Sequence, residues 1–215
     1  SIINTIYMTV LSLLFAVPIG IGCAIYLVEY AKRGNKFVTV IRLTAETLSG
    51  IPSIVYGLVG YLIFVIGLKL GLTLLGGSLT MATMILPLII RTTEEALIAV
   101  PDMYREGSYG LGAGRLRTIF SIILPSAVPG ILSGVILGVG RVVGETAALI
   151  FTAGSVAKAA TSLMSSSRTL SVHMYIQQSE GLHMNEAFAT AVVLLIVVVI
   201  INLASELIAG KLTKK

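Results

Sequence analysis

Three ionisable residues sit inside apolar runs that should exclude them. Arg91 lies in LPLIIRTTEEAL, and Arg141 and Glu145 lie in VGRVVGETAAL. An ionised arginine at the middle of a membrane helix costs about 2.5–3.5 kcal/mol, so a partner, a water-filled cavity or a ligand must offset it. Two guanidiniums offer planar, permanently charged donor forks that match the oxygens of an oxyanion. A carboxylate beside them is intelligible if the anion still carries a proton. Glu145 then accepts a hydrogen bond from it, while a fully ionised anion meets repulsion. Arg141 and Glu145 stand one turn apart, which predicts a shared helix face and leaves a plain ion pair as the competing reading. Glu94 and Glu95, one turn beyond Arg91, fit structural pairing with Arg91 or with basic loop residues.

The elements that must hold these groups are membrane helices. Of 215 residues, 56% are hydrophobic and 12% charged, with a mean hydropathy of +0.98. A soluble domain carries about 25% charged residues, so the surrounding medium here is lipid. Five crossings are predicted: Asn4 to Val28, Phe37 to Leu68, Ser78 to Val100, Arg115 to about Phe151, and Asn185 to Ala209. The second is interrupted at Gly50-Ile51-Pro52, which predicts a kink or two stacked segments. The fourth begins with a bent portion near Leu124-Pro125 and Pro129-Gly130. The runs are too long and too uniform for barrel strands. Gly130, Ser133, Gly134, Gly138 and Ala147 suit close helix packing.

Basic residues orient the set. Lys32, Arg33, Lys36, Arg105, Arg115, Arg117, Lys211, Lys214 and Lys215 share one side if the crossings alternate, and the other side receives Lys69, Lys158 and Arg168. The positive-inside rule puts the first group, and the C-terminus with it, in the cytosol. The net charge of +5 is therefore a topology signal and not a nucleic-acid one. Ser1 opens the chain without a methionine and with no basic leader or cleavage site, so it reads as a fragment whose upstream portion is missing, and as a single membrane domain over 1–215. The single cysteine, Cys23, is a small residue within an apolar run.

Residues 101–117 form the segment most suited to meeting another protein. Pro101 can open a helix, Asp102 and Glu106 suit its positive end, and Gly110, Gly112 and Gly114 end it. Tyr104, Tyr109 and Leu111 offer an exposed face, so the segment reads as a short lever joined to two spans. Outside, residues 152–184 are rich in Ser and Thr, with a helix expected over Thr169 to Gln178 near the surface. His173 and His183 lie ten residues apart with no ligand constellation, so no metal is assigned. There is no Walker lysine and no nucleophile–base arrangement, so no catalytic residue is named.

With those residues in view, the chain resembles the permease subunits of phosphate-import ABC transporters, the Pst system, and its A-type permease most closely. The matching pieces are LVEYA (27–31), IPSIVYGL (51–58), IIRTTEEAL (89–97), EGSYGLGAG (106–114) and GRVVGETAAL (140–149). Glu106, Gly112, Ile122, Leu124 and Pro125 fall in register with the permease loop that grips an ATPase. Gly107 and Ser108 stand where that consensus has two alanines. The resemblance implies an all-α, type I ABC-importer (MetI-like) permease fold over 1–215, with a cytosolic coupling helix and five of the full subunit's six membrane helices, the N-terminal first one being what is missing. It implies phosphate contacts at Arg91, Arg141 and Glu145, and ATPase coupling through Tyr104, Arg105, Glu106, Gly107, Ser108, Gly112 and Arg115. It also implies a PstC-like second permease, two PstB-like ATPases that carry the ATP and Mg, and an extracytoplasmic phosphate-binding protein. This chain would hold no cofactor. A molybdate or sulfate permease is the near alternative; an ion-driven carrier or a structural scaffold is the distant one.

Overall fold

A computed structural model of the chain describes residues 1–31, 34–181 and 184–213. Lys32, Arg33, His183, Lys214 and Lys215, used above for topology and metal assignment, lie outside the described residues, as does the side chain of Lys211. The first crossing is α1 (Ile2–Ile25), continued by a π-helical turn over Tyr26–Tyr30. The second is α2 (Lys36–Ser49) and α3 (Ser53–Gly60), the latter running on through Gly67. Then come α4 (Leu74–Ile98), the short α5 (Asp102–Gly110), and α6 (Arg115–Thr118), which runs through Ile119–Ile123 into α7 (Leu124–Gly144). The chain continues as α8 (Ala147–Thr152), α9 (Leu170–Glu180) and α10 (Met184–Thr213). Four helices are long and apolar enough to span a membrane, and the broken α2–α3 pair makes a fifth.

Two expected spans differ from those observed. Around Pro52, α2 and α3 meet at 107°, a sharp turn where a kink or a stack was expected. Pro52 supplies no donor for α2 and is extended, with ψ 140°. The fourth span stops at Gly144 and does not run to Phe151, because Glu145 is extended (φ −73°, ψ 133°). Its carboxylate accepts hydrogen bonds from the backbone N–H of Thr146 and Ala148, which gives the chain an alternative to another helical turn.

Close approach of small residues holds the bundle together. Gly130 faces Ala96, Gly134 faces Thr92, and Gly138 faces Ile89 and Ile85, so the glycine side of α7 lies directly on α4. In lipid, such contact supplies the dispersion attraction that hydrophobic expulsion from water supplies elsewhere. α1 also packs on α4, with Gly20 against Ile89, and it meets α7 through Leu13 at Gly138. Polar side chains within the spans turn back on their own helices: Thr9, Ser12, Thr80 and Thr152 each donate to the carbonyl four residues earlier.

The end of the bundle away from the gathered basic residues, its outer face by the positive-inside reading, is closed by residues 153–169. Ser165 and Leu163 carbonyls accept from the N–H groups of Leu74 and Leu75, two of the unpaired donors at the start of α4. Asn4, fully buried, donates to the carbonyls of Lys158 and Arg168 and accepts from Ala160 N–H. Thr169 caps α9 through the N–H of Val172, as the expected helix requires. The start of α9, however, is buried at Leu170, Ser171 and Val172, so this helix is plugged into the bundle and does not merely rest on it.

Gly130→Ala should place a Cβ 2.6 Å from that of Ala96 and lower stability by about 1–3 kcal/mol through overpacking. Gly107→Ala, with open space at its Cβ, should raise α5 stability by up to about 1 kcal/mol. Thermal unfolding of the two purified variants checks both directions.

Candidate functional site

At the inner face, the 101–117 segment is fastened at both ends to the end of α1. Arg105 of α5 uses all five of its N–H donors. Nε and Nη2 donate to Glu29 Oε1 at 3.1 and 2.8 Å, and Nη1 donates to Asp102 Oδ1 at 3.1 Å. The remaining two reach the Val100 and Leu97 carbonyls, which the end of α4 leaves without helical partners. The Glu29 side chain is only 5% exposed, so this pairing is what makes its burial tolerable. At the other end, the Arg115 guanidinium stands 5.3 Å over the Tyr30 ring. Ser108 is buried and its hydroxyl meets that of Thr118 at 2.8 Å, so α5 and α6 are pinned to each other. Gly112 turns the chain between them with φ +81°, a conformation that side chains resist.

What the segment leaves exposed is a mixed aromatic and aliphatic face. Met103, Tyr104, Tyr109 and Leu111 are open, Leu111 being 91% exposed, and Glu106 and Gly107 lie beside them. Of the seven residues expected to couple, Tyr104, Glu106 and Gly107 present themselves outward, while Arg105, Ser108, Gly112 and Arg115 set the position of the segment.

The intramembrane charges resolve into two levels. The α4–α7 contacts at Ala96–Gly130, Thr92–Gly134 and Ile85–Gly138 place Arg141 about level with Ile85. Arg91 is then about 9 Å nearer the inner face, at 1.5 Å per residue. Arg141 is half-buried and makes no hydrogen bond or ion pair among the described residues; its charge acts on the neighbouring Tyr56. The expected shared helix face with Glu145 is not formed, since the helix ends at Gly144, and neither is the ion pair. Glu145 instead caps α8 with Oε1, and its backbone carbonyl accepts from Ser171 of α9 at 2.6 Å. Its Oε2 stays without a hydrogen bond.

Arg91 pairs with Glu95 at 3.0 Å, both well exposed. Beside it, Glu94 pairs with Arg42 of α2 at 2.5 Å. These groups and Glu46 line a cavity of about 250 Å³ between α2 and α4. Glu95 thus pairs with Arg91, as expected, whereas Glu94 pairs with Arg42, an α2 residue that the sequence reading passed over. Arg42 and Glu46, two ionisable residues a turn apart in an apolar run, carried the same signal as Arg141. Asn4, Glu29 and Tyr56 were missed as well; only Glu29, a carboxylate at the end of an apolar run, stood out by type. On the outer face, burial beside Arg168 pushes the His173 imidazole below its ordinary 6.5. Among the described residues no group of three or more potential metal ligands is formed.

A broken spanning helix, a rigid inner loop with an open face and half-buried charges define a membrane transport subunit. The family of binding-protein-dependent transport system inner membrane components matches residues 16–215, and the chain belongs to it. It is 36% identical over 228 residues to the probable ABC transporter permease protein YqgI of Bacillus subtilis, covering 99% of this chain and 77% of that one. It is 35% identical over 203 residues to the phosphate transport system permease protein PstA 1 of Mycobacterium tuberculosis, covering 93% of this chain and 66% of that protein. Among solved structures, an inward-facing MetNI methionine ABC transporter matches with a TM-score of 0.81 at 21% identity, covering 98% of this chain and 93% of that one. The MetI-like permease fold is therefore established.

Arg105→Ala should strand the Glu29 carboxylate and cost about 3–5 kcal/mol. Hydrogen exchange should then rise across residues 102–114 first, before the outer face loosens.

Proposed function

We propose that this chain is the permease subunit of an ATP-driven importer of inorganic phosphate. The observation that carries the reading is Arg141, a half-buried guanidinium in a spanning helix with no partner among the described residues. Such a group is retained where a passing anion needs it. Relatives named phosphate transport system permeases, at 35–38% identity, support phosphate as that anion. Arg141 offers its fork to two phosphate oxygens, and Glu145 Oε2 accepts a hydrogen bond from the P–OH of a still-protonated ion. Arg91, deeper by about two turns, serves as a second station once it exchanges Glu95 for the anion.

ATP and Mg bind in two separate PstB-like ATPases, which dock on the open face of α5 around Tyr104 and Glu106. With Arg105 and Arg115 holding both ends of the segment to α1, a push on α5 moves α1 and α4 together. A homologous PstC-like permease completes the path, and an extracytoplasmic phosphate-binding protein delivers to the face closed by residues 153–169. The subunit sits in the cell membrane with its C-terminus in the cytosol, the side on which basic residues gather.

Uptake of labelled phosphate by the assembled transporter in proteoliposomes tests this. Arg141→Gln should lower uptake by about two orders of magnitude while leaving ATPase association intact. Excess sulfate should compete poorly. Unchanged uptake refutes the site, and efficient sulfate competition refutes the protonated ligand.

A further inference from the structure

α2 is the least anchored of the elements around the charged path. Of its 14 residues only Val38 is buried, and Phe37, Val40 and Leu43 point outward. Its main packing partner is α4. Cavities flank it on every inner side: about 570 Å³ toward α5, about 250 Å³ toward Arg91 and about 440 Å³ toward α3. Three attachments fix it. One is the 107° break at Gly50-Ile51-Pro52. The second is the Tyr56 hydroxyl, which donates across that break to the Leu48 carbonyl at 2.8 Å. The third is the Arg42–Glu94 pair, where Glu94 is 12% exposed.

Arg42 also has an unusual place. It lines both the cavity next to α5, with Asp102 and Arg105, and the one holding Arg91. Together with Ile98, which also lines both, it forms the partition between the coupling segment and the inner part of the charged path. Tyr56, which holds the end of α2, belongs to α3 across the break. A single loosely packed helix thus pairs with the inner charges and borders the cavity beside the coupling segment.

We infer that α2 is a gate that pivots at Gly50–Pro52, and that Arg42 and Glu94 are the gating residues that latch it to α4 in one end state. Release of the latch joins the two inner cavities into one route past Arg91. This rests on the transporter reading, but not on phosphate being the cargo. Because the pair is half exposed on the Arg42 side, a modest force from α5 suffices to exchange it for water, unlike the enclosed Arg105–Glu29 pair.

Spin labels at Leu43→Cys on α2 and Leu137→Cys on α7, with Cys23→Ala, report the movement. The measurement uses the full chain assembled with its partner subunits, freed of other cysteines, in lipid nanodiscs. Nucleotide-free and vanadate-trapped states should give two distances in different proportion. Glu94→Gln, which keeps shape and removes charge, should enrich the detached distance by about tenfold. The swap Arg42→Glu with Glu94→Arg should bring it back. One unchanging distance in all states, or a Glu94→Gln distribution like the parent's, overturns the gate. Labelled-phosphate uptake measured on the same samples fails separately if only the cargo is wrong.

Discussion

A buried carboxylate at the end of the first helix is the constraint on which the inner half of the molecule depends. Glu29 lies at the edge of an apolar span and is almost wholly enclosed, so it requires a cation whose position is equally fixed. Arg105 meets that requirement only because its remaining donors find the two carbonyls that α4 leaves open at its end. The satisfaction is mutual: Arg105 completes the bonding of the Leu97 and Val100 carbonyls, of which Leu97 otherwise has only a long bond from Val100 N–H, and Arg105 lacks a geometry without Glu29. Lysine, a point charge with three donors, could not close the same set. The consequence is mechanical. α5 hangs from α1 and α4 by bonds that do not yield to solvent, and whatever docks on its open face moves two spans at once.

The outer half is built on a different logic. There the load falls on neutral polar groups: Asn4, Thr5, Thr73 and the carbonyls of the 153–169 segment. These closing bonds are made by neutral groups, while Arg168 within the face keeps a buried Nε without a partner among the described residues. Beneath it Arg141 makes no ion pair among the described residues, whereas Arg105 and Glu29 at the opposite end are paired.

Much of this was legible in the residues. Because a hydrocarbon slab demands a minimum length of helix, apolar runs gave the spans to within a few residues, except at the end of the fourth, which stops at Gly144. The inner segment was legible because proline, acid and three glycines each have one favoured place at a helix end, and α5, the Gly112 turn and Gly114 fall there. Glycines in α7 announced their contact with α4, although not which residues they would meet. The site was less legible. Helical spacing put Arg141 and Glu145 on one face, but spacing holds only while the helix lasts, and a glutamate that can bond to the N–H groups just ahead of it ends the helix instead. The 107° turn at Pro52 exceeded what a proline alone predicts, since it is set by α2 lying on α4. Arg105 looked like a docking residue, as an exposed charge in a loop usually does; its true neighbours are 76 residues earlier in the chain.

Asn4 imposes an order on biosynthesis. Its amide lies in the bilayer-facing first helix, yet every group that satisfies it is made 154 to 164 residues later, and Thr5 waits 165 for Leu170. While those partners are still on the ribosome, this helix enters the membrane with a thirsty side chain near its outer end, where water still reaches. Only when the 153–169 segment has crossed does that water leave. Closing this end therefore takes the passage of a loop as well as the insertion of helices, with α10 still to follow.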